Sequence, residues 1–93
     1  MTTSPAYVRR NEFVMVEMEE GLVVLMIETG KYFQINRSTG RIIWQALEKP
    51  CSVDEIVELL LLRFQVSKDI CHDETRRFVG ELEKAGMVQQ LNV

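Results

Sequence analysis

Lys31-Tyr32-Phe33-Gln34-Ile35-Asn36 has the two-residue period of a half-buried strand, with Phe33 and Ile35 on one face and Tyr32 and Gln34 on the other. It runs without a linker into Arg37-Ser38-Thr39-Gly40-Arg41-Ile42-Ile43-Trp44. There Gly40, Ile43, Trp44 and Leu47 recur at i, i+3, i+4 and i+7, the stripe of an amphipathic helix. Asn36 or Ser38 can cap that helix, and Lys49-Pro50 ends it. With two strands before this strand-helix unit and two more helices after it, the chain is a run of strands followed by a run of helices, and so α+β.

Two further strands precede this one. Phe13 to Met18 has strand character, and Glu19-Glu20-Gly21 is a polar turn with glycine where positive φ can be needed. Leu22-Val23-Val24-Leu25-Met26-Ile27 does not alternate, which fits a central strand covered on both faces or a short buried helix; its valines and length favour the strand. Three strands joined by short turns predict an antiparallel meander with Leu22 to Ile27 in the middle and Lys31 to Asn36 at an edge. The outer backbone groups of that edge are then unpaired unless something covers them, and the sequence does not fix which parity points outward. Residues 1–11 read as a flexible start.

Ser52-Val53-Asp54-Glu55 matches the S-x-x-E capping box, so a second helix begins there, with Val53, Ile56, Val57, Leu60 and Phe64 on one stripe. Leu59, Leu61 and Leu62 widen its apolar surface, as in a helix that is deeply buried or touches a partner. Ser67 or Asp69 can cap a third helix whose stripe is Cys71, Thr75, Phe78, Leu82 and Ala85, with Lys84 at its negative end and Gly86 at C′. Met87 to Leu91 reads as a short closing strand or an extended tail. Trp44, Leu47, Ile56, Leu60, Phe78 and Leu82 are the expected common core.

Ninety-three residues, 46% hydrophobic and 27% charged, make one small globular domain, 1–93. The net charge of −3 offers no overall positive field for phosphates, so nucleic acid is a poor partner. A winged-helix-like DNA binder is a competing reading of three strands and three helices. Arg76 and Arg77 would serve it, but Asp69, Asp73, Glu74, Glu81 and Glu83 share their helix and oppose phosphate. No run suggests a signal peptide or a membrane span, which points to a soluble cytoplasmic protein with no membrane partner.

Cys51 and Cys71 are too few for a disulfide framework, and Cys71-His72 lacks the C-x2-C and H-x3-5-H spacings of zinc modules, so no metal site is expected. Neither a P-loop, a G-x-S-x-G elbow nor a dinucleotide G-x-G-x-x-G is present, and the one histidine has no recognisable catalytic partner. The sequence therefore supports recognition rather than catalysis, with no cofactor. An exposed strand edge can capture a peptide by β-augmentation. On the third helix, His72, Arg76, Val79 and Glu83 form a mixed stripe beside the core-facing one, suited to lining a groove, although Val79 reads equally well as core and Arg76 as a solvated side chain. The candidate peptide-binding residues are therefore Lys31, Tyr32, Phe33, Gln34, Ile35 and Asn36 with His72, Arg76, Val79 and Glu83.

Over about residues 22 to 90 the chain resembles the PqqD family of leader-peptide recognition elements. The resemblance is carried by Ile35-Asn36, Thr39-Gly40, Ile43-Trp44 with Leu47, the Ser52 to Val57 helix start, Arg63-Phe64, and Phe78, Leu82, Gly86 and Val88. Within the family, Gly30 to Asn36 is most similar to the free-standing leader-binding proteins of lasso peptide biosynthesis. The resemblance implies a non-enzymatic module whose partner is the leader segment of a ribosomally made precursor peptide, paired along the third strand and packed against the third helix. It further implies a leader peptidase and an ATP-dependent cyclase as partners. The alternative within the family is a chaperone for the pyrroloquinoline quinone precursor, acting with a radical enzyme.

Overall fold

A computed structural model describes residues 5–10 and 12–91. In chain order it contains β1 (Ala6–Arg9), β2 (Phe13–Met18), β3 (Gly21–Met26), β4 (Tyr32–Asn36), α1 (Thr39–Ala46), β5 (Cys51–Ser52), α2 (Val53–Arg63), α3 (Lys68–Lys84) and β6 (Val88–Leu91). The predicted meander is present as the antiparallel sheet β2-β3-β4, with β4 at an edge. A second antiparallel sheet, β5-β1-β6, is an addition to the sequence reading.

That second sheet corrects the expectation of a flexible start. Ala6 to Arg9 pair with Leu91 to Val88, and Ala6 and Tyr7 also face Ser52 and Cys51. The Arg9 amide donates to the Leu47 carbonyl at 2.9 Å, while the Arg9 guanidinium lies about 5 Å from the ring centres of both Phe13 and Trp44. Such cation–π stacking holds the start of the chain to the core. Residues 1–4 and 11 lie outside the described part, and the expectation is not taken further for them.

The core lies between the helices and one face of β2-β3-β4. Leu22, Val24 and Ile35 enter it from the sheet, and Trp44, Leu47, Ile56, Leu60 and Leu82 from the helices, all buried as the stripes predict. Phe78 departs from the prediction, being only half-buried and packed against the core's margin. At the junction of β4 and α1, Asn36 Oδ1 accepts the amides of Ser38 at 3.0 Å and Gly40 at 2.9 Å, so Asn36 rather than Ser38 provides the side-chain cap. A Cβ at position 40 would lie 2.9 Å from Ile35 Cγ2, and glycine is what lets the helix start this close to the strand. The α2 capping box is complete: Ser52 Oγ accepts the Glu55 amide at 3.2 Å and Glu55 Oε1 accepts the Ser52 amide at 2.9 Å.

β3 is buried on one face alone, contrary to the expectation from its unbroken apolar run. Leu22, Val24 and Met26 are in the core, whereas Leu25 and the neighbouring Ile27 are exposed. Cross-strand partners share a face, so Val14, Leu25 and Tyr32 form one outer row and Val16, Val23 and Gln34 the next.

Candidate functional site

Two hydrogen bonds fix which backbone groups of β4 are free. The Met26 amide donates to the Lys31 carbonyl at 2.8 Å, in register with the β3–β4 ladder, and the Ile27 amide donates to the Glu12 carbonyl at 3.2 Å, in register with β2–β3. Hydrogen-bonded and non-hydrogen-bonded pairs alternate along an antiparallel ladder. Even-numbered residues of β3 therefore bond to β4, through Phe33 and Ile35, and the odd-numbered ones to β2. The amides and carbonyls of Tyr32 and Gln34 consequently point away from the sheet, along the open edge of β4.

Beside this strand lies α3. Phe33 descends from β4 and meets Phe78 of α3 edge to face, ring centres 5.8 Å apart. Next to that contact a groove of about 250 Å³ runs between the end of β4, α1, α2 and α3, lined among others by Thr39, Phe64, Val66, Ile70, Glu74 and Phe78. Val66 and Ile70 stay at least half exposed at its mouth. Open backbone donors and acceptors beside an apolar trough are what an extended peptide needs, the first for pairing and the second for alternate side chains. A wider, open hollow of about 620 Å³ lies at the β2–β3 turn; its titratable groups are Glu19 and Glu20, and no helix borders it.

The predicted strand residues and the predicted helix stripe part company here. Tyr32 and Gln34 are exposed, Phe33 is half-buried toward α3, Ile35 is core, and Asn36 is committed to capping α1 although it also borders the groove. Lys31 lies one residue before β4 and is exposed.

On α3, Val79 is 1% exposed and belongs to the core, the second of the two readings its position allows. His72 Nε2 lies 3.1 Å from Asp54 Oδ1 of α2, which turns that stripe toward α2 instead of β4. Arg76 reaches back to Asp73 at 3.1 Å, and Glu83 shares the exposed side of the same stripe. The side of α3 that meets β4 carries Ile70, Glu74 and Phe78 at i, i+4 and i+8. This repeat is present in the sequence, but reading Phe78 as core hid it.

The arrangement offers little for bond-breaking chemistry. Among the described residues, no group of three or more His, Cys, Asp or Glu side chains could hold a metal ion. Burial, followed by the nearby Glu55 carboxylate, pushes the Cys51 thiol above its ordinary pKa, which disfavours a nucleophilic thiolate. Arg76 and Arg77 both pair with Asp73, which reduces the cationic field they could offer phosphate. Among the described residues, no helix is long and apolar enough to cross a membrane.

The family model described as coenzyme PQQ synthesis protein D (PqqD) matches residues 21–88. Two solved structures share the fold. One is a lasso peptide synthetase B1 complexed with the leader peptide, 23% identical, with a TM-score of 0.75 over 89% of this chain and 96% of that one. The other is TbiB1 in complex with the TbiA(beta) leader peptide, 22% identical, with a TM-score of 0.76 over 88% of this chain and 94% of that one. No match was found among curated proteins.

Proposed function

Because the chain belongs to the PqqD family, its model matching residues 21–88, we propose that it is a single-domain, non-enzymatic recognition module for the leader segment of a ribosomally synthesised precursor peptide. The leader adds to β4 as an antiparallel strand and presents the bound precursor to a leader peptidase of lasso peptide biosynthesis in the cytoplasm, with a cyclase acting downstream. The observation that carries this reading is the open edge of β4, with the outward backbone groups of Tyr32 and Gln34, beside the groove floored by Phe78. Two proteins of the same fold, each solved with a leader peptide, support it.

The leader's backbone satisfies the outward amides and carbonyls of β4, while every second leader side chain turns toward α3 and enters the apolar groove. Main-chain pairing supplies affinity without regard to sequence, so selectivity rests with the groove, where Thr39, Ile70 and Glu74 meet those side chains. Titration calorimetry with synthetic leaders from the lasso and pyrroloquinoline quinone pathways tests the assignment. Selective binding of a lasso leader is the expected result, and binding of neither leader would overturn the reading.

A further inference from the structure

The outer face of the β2-β3-β4 sheet has the composition of a sheet interior without a cover. Val14, Val16, Met18, Leu25, Ile27 and Tyr32 are 46%, 53%, 57%, 40%, 64% and 67% exposed, respectively. Taken as fractions of ordinary side-chain areas, these exposures amount to roughly 500 Å² of largely apolar surface, in the upper part of the range that a monomer's largest patch usually shows. The two central rows, Val14-Leu25-Tyr32 and Val16-Val23-Gln34, contain no charged side chain. Antiparallel sheets that face water normally alternate apolar with polar residues, whereas an unbroken run like Leu22 to Ile27 belongs to strands covered on both faces.

We propose that this face is a homodimer interface, on which a second copy of the chain packs sheet against sheet about a two-fold axis. Area favours that occupant: two such patches bring together about 1,000 Å² of largely apolar surface before any rim is counted, about what a biological interface must clear. Self-complementarity favours it as well. A two-fold interface places the same surface on both sides, and a face without charge in its central rows meets its own copy with no like charges opposed there. Twisted sheets pack face to face about 10 Å apart through interdigitated side chains, here the valines with Leu25 and Tyr32. Such packing uses side chains and leaves the backbone edge of β4 open, so the dimer does not depend on the peptide-binding reading.

Sedimentation equilibrium of the full chain from about 1 µM to about 1 mM tests the proposal. The weight-average mass should climb from 10.8 kDa toward twice that value. Val16→Lys on the edge strand and Leu25→Lys on the central strand should each hold it at the monomer value, with far-UV circular dichroism confirming that at least one is folded. Leu62→Lys, on exposed α2 surface away from this face, should dimerise as the wild type does. A wild-type chain that stays monomeric over the whole range overturns the proposal, as does dimerisation that survives both sheet substitutions.

Discussion

Phe33 of β4 and Phe78 of α3 meet edge to face, ring centres 5.8 Å apart and planes inclined at 69°. This contact joins the open edge strand to the helix beside it, and its Phe78 ring lines the groove proposed to take a peptide side chain. Edge-to-face pairs contribute about 0.5–1.5 kcal/mol beyond the area they bury. The same pair therefore supports the fold and shapes the groove.

Truncation of Phe78 should separate these roles only partly. Because the ring is half-buried, Phe78→Ala should cost about 2 kcal/mol, below the about 3–5 kcal/mol of a fully buried phenylalanine. Leader affinity should fall by more than the small unfolded fraction explains. Urea denaturation together with calorimetric titration of the folded variant checks both outcomes.

The exposed residues of α3 should divide by face. Ile70→Asp and Glu74→Lys, in the groove, should change leader affinity while shifting stability by no more than about 0.5 kcal/mol. Arg76→Glu and Glu83→Lys, on the side turned away from β4, should leave affinity within error of wild type. Isothermal titration of the four variants against one leader peptide makes the comparison.

Trp44 is buried beneath β2, its Nε1 directed at Met15 Sδ at 3.0 Å and its ring edge to face with Phe13 at 5.3 Å. Trp44→Ala should cost about 3–5 kcal/mol, much of the stability of so small a domain. A thermal midpoint equal to that of the wild type would contradict the core assignment.

Ionisation of Cys51 gives a pH-dependent readout. Folding disfavours its thiolate, so the unfolded chain loses this proton first as pH rises; the stabilising contribution is complete below the ordinary thiol pKa and is lost as pH climbs from there through the raised pKa of the folded state. At neutral pH, Cys51 in the native protein should alkylate several-fold more slowly than in the urea-unfolded chain. Peptide mapping after timed iodoacetamide treatment measures the ratio.

Local patterns made much of this structure legible. The capping box at Ser52, the turn glycines and the meander of β2, β3 and β4 are specified by residues within a few positions of one another, and each is found where the sequence puts it. β1 was not legible, because its partners Val88 to Leu91 lie some eighty residues away and Ala6 to Arg9 carry no distinctive alternation. The groove face of α3 is not legible for a different reason: the rows His72-Arg76-Val79-Glu83 and Ile70-Glu74-Phe78 flank the core-facing stripe on opposite sides, and the sequence does not say which of them β4 approaches. Val79 lies in the core and His72 against Asp54 of α2, and neither lines the groove. β3 shows the opposite limit, since its unbroken apolar run signals two covered faces and the single chain covers one.

The central claim is that a leader peptide pairs with the open edge of β4, and amide hydrogen exchange resolved residue by residue tests it most directly. The Tyr32 and Gln34 amides, which face away from the sheet, should exchange rapidly in the free protein and slow by at least an order of magnitude when leader is added in saturating excess. Phe33 and Ile35, already bonded to β3, should change much less. Tyr32→Pro, which removes an outward donor alone, should weaken leader binding in a folded protein, whereas Phe33→Pro should disrupt the sheet itself. Unchanged exchange at Tyr32 and Gln34 under saturating leader, with affinity intact in Tyr32→Pro, would contradict the account.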